Sequence, residues 1–114
     1  MITIKGVDPR MIANNLTPYE PVHPGELLKT EIQYRGVSQR KLAGQTGIAY
    51  SVLNEVLNCK RPVTTIYALL LEAALDIESE MLIRMQADYD LQTIRRNNSW
   101  NERLANIRKM AVTI

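Results

Sequence analysis

The side chains best suited to recognition chemistry in this chain lie between residues 39 and 61. Amide and hydroxyl groups can hydrogen-bond to base edges, and lysine and arginine can hold phosphates, so this set is suited to binding DNA. The carboxylate of Glu55 can accept from the amino group of cytosine, or it can stabilise its own helix while pointing away. The candidate DNA-contacting residues are Gln39, Arg40, Ala49, Tyr50, Ser51, Asn54, Glu55, Asn58, Lys60 and Arg61.

Bond-breaking chemistry has few candidate residues in the same sequence. Cys59 is the single cysteine and His23 the single histidine, so we expect no disulfide within the chain, no metal site and no cofactor. A nucleophile with its base, or a phosphate-binding loop, cannot be assembled, and an enzyme is therefore the weakest candidate function. We expect His23 to start a helix. Cys59 is expected to be an incidental thiol; the alternative is a redox role, which a lowered pKa in its basic turn would permit.

Two short helices separated by a glycine turn must position the DNA-contacting side chains. Ser38 suits the N-cap of the first helix, and Gly47 suits its end, where left-handed dihedrals are needed. Ala43 is small enough for the two helix backbones to approach. Four apolar residues are expected to fill the shared core: Leu42, Ile48, Leu53 and Val56. This arrangement predicts a DNA-binding helix-turn-helix whose second helix enters the major groove; an ordinary helical hairpin is the alternative.

Helices are also predicted on both sides of this pair, so the fold class is expected to be all-α. Upstream, Pro24 and Glu26 fit the first turn of a helix that ends at Gly36. Downstream, Thr64 caps an apolar helix that runs through Leu75.

Two more helices are predicted toward the C-terminus, and an irregular arm precedes the first helix. Ser79 is the candidate cap of a helix from Glu80 to Arg95, and a capping-box pattern at residues 99–102 opens a last helix near residues 100–111. Residues 1–23 look irregular because several prolines interrupt them, although residues 2–5 alternate as a short strand would.

Charge is distributed unevenly along a chain of 114 residues whose net charge is only +2. Residues 38–61 carry four basic residues against one acidic, residues 62–95 carry two against six, and residues 96–114 carry four against one. One surface can therefore meet a polyanion while another meets a basic partner, although solvated helix faces are the simpler interpretation. The longest apolar run, residues 68–71, is far short of a membrane span. We expect a cytoplasmic protein with no membrane partner.

Several of these segments together resemble the HigA family of antitoxins, within the lambda-repressor-like helix-turn-helix class. The resemblance covers about residues 22–92. The segments that carry it are HPGELL at 23–28, SQRKLA at 38–43, NCKR at 58–61, LDI at 75–77 and QADYDL at 86–91.

The resemblance implies a five-helix domain that forms a homodimer, represses its own operon by binding operator DNA, and neutralises a co-encoded HigB-type ribonuclease toxin. It implies a helix-turn-helix domain over 23–95 with the motif at 38–58, an irregular arm over 1–22, and a C-terminal helical extension over 96–114. Gln39 corresponds to a residue that clamps a phosphate and the adjoining base.

The sequence departs from the family pattern at three places. Cys59 replaces the glycine of the turn, where a left-handed backbone would cost a side chain about 1 kcal/mol. Tyr50 and Val52 stand where the recognition helix usually offers arginine. Residues 81–82 are Met and Leu rather than an aromatic pair, which keeps the core apolar.

Two alternative functions remain open at the level of sequence: a stand-alone transcription regulator, and an interaction protein whose helix-turn-helix no longer binds DNA. For a toxin partner, which would be basic because it binds RNA, we expect contact through residues 1–22, the acidic stretch 76–90 or the tail 96–114.

Overall fold

Residues 20–113 are described by the computed structural model, and all regular structure among them is helical. Six helices follow one another: α1 (Pro24–Arg35), α2 (Gln39–Thr46), α3 (Tyr50–Leu57), α4 (Thr65–Leu75), α5 (Ser79–Arg95) and α6 (Asn98–Thr113). The all-α prediction is confirmed for this part of the chain. The strand predicted at residues 2–5 lies outside the described residues. None of the described helices is long and apolar enough to cross a membrane.

The first helix begins and ends at the residues that the sequence predicts. His23 is its N-cap, with Nδ1 accepting from the Gly25 amide at 2.9 Å, and Pro24 occupies the first turn. Gly36 ends the helix in the left-handed conformation at φ 71°. Arg35, in the last turn, donates from Nη1 to the Leu75 carbonyl at 2.7 Å, which satisfies an unpaired carbonyl at the end of α4.

The helix-turn-helix also forms as predicted. The Ser38 hydroxyl accepts from the Lys41 amide at 3.1 Å, and Gly47 ends α2 at φ 77°. Thr46 steadies the turn, because its hydroxyl donates to the Leu42 carbonyl at 2.9 Å and accepts from the Ile48 amide at 3.2 Å. The four residues predicted to fill the shared core are all buried: Leu42, Ile48, Leu53 and Val56.

Two helix starts differ from the sequence prediction. Ser79 is not the cap of α5 but its first residue, and its amide donates to the Glu72 carboxylate at 3.1 Å. The acceptor comes from the preceding helix, so no local cap is needed. Ser99 likewise lies inside the first turn of α6, since the side-chain oxygen of Asn97 accepts from the Trp100 amide at 3.1 Å. The predicted cap at Thr64 is confirmed.

Helices α1 to α5 share one core, and α6 packs mainly against α5. Each of the first five helices contributes at least one fully buried leucine: Leu28, Leu42, Leu53, Leu57, Leu71 and Leu82. No side chain of α6 is buried through residue 111. Leu82 and the half-buried Met81 join the core, so this part of the core packs without the family's aromatic pair.

The start of α1 lies so close to the end of α3 that only glycine fits at residue 25. A Cβ built on Gly25 would overlap the carbonyl oxygen of Val56, whereas a Cβ on Gly44, within α2, would meet nothing within 4 Å. The Val56 carbonyl belongs to the backbone of α3, so it cannot rotate away from an added methyl group as a flexible side chain can. The position of α3 against α1 therefore depends on Gly25.

We predict opposite effects of the same substitution at these two glycines. Gly25→Ala should lower the free energy of unfolding by about 1–3 kcal/mol because the added methyl forces the helices apart. Gly44→Ala should raise it by up to about 0.5–1 kcal/mol because alanine restricts the unfolded chain and favours a helix. Urea denaturation followed by circular dichroism measures both free energies of unfolding. An unchanged free energy of unfolding for Gly25→Ala would contradict the close approach of α1 to α3.

Candidate nucleic-acid interface

The third helix turns its apolar side into the core and its polar side outward. Leu53, Val56 and Leu57 are buried. All the residues predicted to contact DNA are exposed or half-buried, on α2, on α3 and on the turn that follows it: Gln39, Arg40, Ala49, Tyr50, Ser51, Asn54, Glu55, Asn58, Lys60 and Arg61. We call this set the recognition surface. Its members make a series of contacts with one another.

An amide network joins the start of α2 to the outer side of α3. Asn54 donates from Nδ2 to Gln39 Oε1 at 2.9 Å. Asn58, one turn further along, donates from Nδ2 to the Asn54 carbonyl at 2.9 Å. Because at least one side of each amide is already engaged, the direction of the remaining donors and acceptors is set before any ligand arrives. Such a surface can select hydrogen-bonding partners.

A cation–π contact connects the first turns of the two helices. The Arg40 guanidinium carbon lies 5.0 Å from the centre of the Tyr50 ring, and the tyrosine side chain is 44% exposed. Arginine held over an aromatic face keeps its outer donors available. Tyr50 occupies a position where the family usually has arginine, and this contact places an arginine from α2 beside it.

The basic turn after α3 contains one paired and one unpaired cation. Arg61 donates from Nε and Nη2 to Glu55 Oε1 at 2.9 and 2.7 Å, with both side chains nearly half exposed. Glu55 is thus a partner of Arg61. An exposed ion pair contributes at most about 1 kcal/mol, so a phosphate can compete for the guanidinium. Lys60 is exposed, and its ammonium group pairs with no described residue.

Lys29 belongs to the same surface and is absent from the sequence prediction. Its Nζ donates to the Asn58 side-chain oxygen at 3.0 Å, from α1 across to the end of α3. The two residues are 29 positions apart, and no periodicity of the sequence connects them. Lys29 adds a positive charge where α1 adjoins the recognition helix.

The turn has a left-handed residue at Cys59, as the family pattern predicts for this position. Its φ is 62°, with amide bonds from Cys59 to the Val56 carbonyl at 3.1 Å and from Lys60 to the Glu55 carbonyl at 2.8 Å. The alternative of a lowered thiol pKa is wrong. Burial raises the pKa of Cys59, and the charge of Glu26 raises it further, while Lys29 opposes the change more weakly.

His23 is held neutral by its surroundings. Burial lowers the pKa of His23, against the opposing charge of Asp90 and a hydrogen bond to the Arg61 backbone. A neutral ring keeps Nδ1 free to accept from the Gly25 amide, as its role as N-cap requires. Among residues 20–113, no group of three histidine, cysteine or acidic side chains is placed to hold a metal ion.

Comparison with known proteins relates this chain to antitoxins. No family model matches the chain. Virulence-associated protein A' of Dichelobacter nodosus is 29% identical over 75 residues, which span 65% of this chain and 65% of that protein's length. An addiction module antidote protein of the HigA family from Coxiella burnetii has a TM-score of 0.65 and 26% identity, over 75% of this chain and 95% of its own.

The solved structure of antitoxin GraA is similar in fold and nearer in sequence. It has a TM-score of 0.65 and 34% identity, and the alignment covers 69% of this chain and 86% of GraA. The chain belongs to the HigA family of antitoxins. Its HigA-family fold contains a helix-turn-helix, so the alternative of an ordinary helical hairpin is excluded.

A protein solved with DNA is also similar to this HigA-family chain. PA4674 from Pseudomonas aeruginosa, in complex with its 28-bp operator, has a TM-score of 0.62 and 25% identity, over 65% of this chain and 82% of its own.

Proposed function

We propose that this protein is an antitoxin that binds operator DNA as a homodimer, represses its own operon and neutralises a co-encoded HigB-type ribonuclease toxin. The observation that carries the proposal is the recognition surface, a polar and basic face on a helix-turn-helix in a HigA-family chain. The operator complex of PA4674 supports the use of this fold for reading DNA.

On DNA, α3 lies in the major groove with its first turn toward the bases. Tyr50 and Ser51 contact base edges, and the amides of Gln39 and Asn54 contact the adjoining base and phosphate. Lys60 and Arg61 hold phosphates of the DNA backbone, Arg61 by exchanging Glu55 for a phosphate oxygen. Phosphate contacts supply affinity, whereas the contacts of α3 supply sequence preference.

A homodimer follows from the size of the recognition surface. One helix-turn-helix makes too few contacts for specific affinity, so two copies bind a palindromic operator with recognition helices about 34 Å apart. In this proposal residues 23–95 form the DNA-binding unit, residues 1–22 an arm, and residues 96–114 a C-terminal extension. Helix α6, within this extension, packs on α5.

The toxin contacts an acidic surface that is separate from the recognition surface. Asp76, Glu78 and Glu80 are exposed where α4 passes into α5. Asp90 is less suitable for a partner because its carboxylate accepts from the Gln86 side chain at 3.0 Å. A basic ribonuclease would be attracted to the three exposed carboxylates, mainly through its rate of association.

We predict that two kinds of substitution in the recognition surface have different effects on DNA binding. Lys60→Ala should weaken binding to the promoter and to random DNA equally, and should lower the magnitude of the salt slope by about 1 per contact, or about 2 per dimer. Ser51→Ala should reduce the preference for the promoter by about 1–3 kcal/mol without changing the slope.

Fluorescence anisotropy with duplex from upstream of the gene, at several salt concentrations, separates these effects. Lys109→Ala on the exposed side of α6 is the charge-matched control and should bind like the unmodified protein. An unchanged salt slope for Lys60→Ala would show that Lys60 does not contact a phosphate. A chain that binds no DNA but still binds the toxin would be an interaction protein instead.

We predict that neutralising the acidic surface slows toxin binding. The triple variant Asp76→Asn, Glu78→Gln, Glu80→Gln should associate several-fold more slowly with the purified product of the adjacent toxin gene, and the difference should shrink at high salt. Glu102→Gln on α6 is the control and should have no effect. Equal association rates for the triple variant and the control would show that the toxin does not bind at these three carboxylates.

A further inference from the structure

Three of the sequence segments that carry the family resemblance meet at one small cleft beside the basic turn. The cleft has a volume of about 210 Å³. Its lining includes His23 from the first segment, Lys60 and Arg61 from the turn, and Gln86, Tyr89 and Asp90 from α5. These residues are far apart in sequence, and the DNA contacts described above involve only those of the turn.

Gln86 uses both ends of its side-chain amide inside this cluster. Its Oε1 accepts from the Val63 amide at 2.8 Å, directly after the turn, and its Nε2 donates to Asp90 Oδ1 at 3.0 Å. The side chain is 7% exposed. A buried amide with both ends engaged has one orientation, so Val63 is held at a fixed distance from α5.

His23 holds the same turn from the side of α1. Its Nδ1 accepts from the Gly25 amide at 2.9 Å, and its ring lines the cleft together with Arg61. The ring packs edge-on against Tyr89 with centroids 4.9 Å apart. The histidine thus connects the start of α1, the turn and α5.

The turn is fixed at both ends as a result. Its first part is bound to α3 by the amides of Cys59 and Lys60, and its last part is bound by Gln86 and lies beside His23. Between these points Cys59 has a left-handed backbone, which is unfavourable for a residue with a side chain and persists only where the surroundings enforce it. The enforced segment is the one that presents Lys60 and Arg61.

We propose that Gln86 and His23 are positioning residues for DNA binding, which hold the turn so that Lys60 and Arg61 meet phosphates without rearrangement. The inference rests on the proposed function, because it assigns the phosphate contacts to this turn. A segment already in its bound conformation loses less entropy on binding than a mobile one. Neither residue touches DNA; both act through the cations of the turn.

Gln86→Leu tests the inference, with Gln92→Leu as a matched control on the same helix. Anisotropy titrations with promoter and random duplexes across several salt concentrations should show about tenfold weaker binding of Gln86→Leu to both DNAs, with a salt slope reduced in magnitude by about 1 per protomer. The preference for the promoter should not change. Gln92→Leu should match the unmodified protein.

A double variant shows whether Gln86 acts through Lys60. The loss of affinity in Lys60→Ala/Gln86→Leu should be smaller than the product of the two single losses. If Gln86→Leu lowers the melting temperature but binds normally while folded, the residue is structural only and the inference is wrong. If Lys60→Ala itself leaves the salt slope unchanged, Lys60 does not contact a phosphate and the proposed function is wrong on this point. That outcome is distinct from a failure of the role assigned to Gln86.

His23→Asn provides an independent variant should Gln86→Leu not fold. Asparagine is a good N-cap and can still accept from the Gly25 amide, but it lacks the ring that packs on Tyr89 and lines the cleft beside Arg61. The same loss of affinity and salt slope is expected for both DNAs. Binding equal to that of the unmodified protein would overturn the role of His23 in holding the turn.

Discussion

The approach of the α1 backbone to the Val56 carbonyl is the constraint on which the other DNA-facing elements depend. It is possible only because residue 25 is glycine. Val56 lies in the last turn of α3, so the contact sets where the recognition helix ends and where the basic turn starts. The neighbouring His23 caps α1 and reaches the same turn. His23 and Gly25 of the HPGELL segment therefore both act to fix α3 and its turn against α1.

The recognition surface is ordered by weak contacts that DNA can replace. The Glu55–Arg61 pair, the Arg40–Tyr50 contact and the Gln39–Asn54 hydrogen bond lie at exposed or half-buried positions. Each contributes little to stability, on the order of 1 kcal/mol or less, yet together they restrict side-chain rotamers before binding. Strong contacts are kept beneath the surface, in the buried Gln86 amide and the leucine core. This division combines a rigid backbone with exchangeable side-chain partners.

Local residue chemistry was enough to predict most of the fold. The caps at Ser38 and Thr64, the terminating glycines at 36 and 47, and the core of the helix-turn-helix depend on neighbours within a few residues. The predictions that failed depended on groups elsewhere. The Ser79 amide is satisfied by Glu72 from another helix, and the pKa of Cys59 follows burial that only the packed fold creates. For the same reason the sequence could not reveal Lys29 beside Asn58, or the assembly of three distant segments at the cleft.

The central claim is that α3 and the turn after it form the DNA-facing surface. Hydrogen–deuterium exchange of the full chain, with and without saturating promoter duplex, tests it most directly. The account predicts slower exchange in the first turn of α3 and in residues 58–62, where amides gain a ligand or lose access to water, with α6 unchanged. Slower exchange confined to α6 or to the acidic residues 76–80, with none in α3, would contradict it.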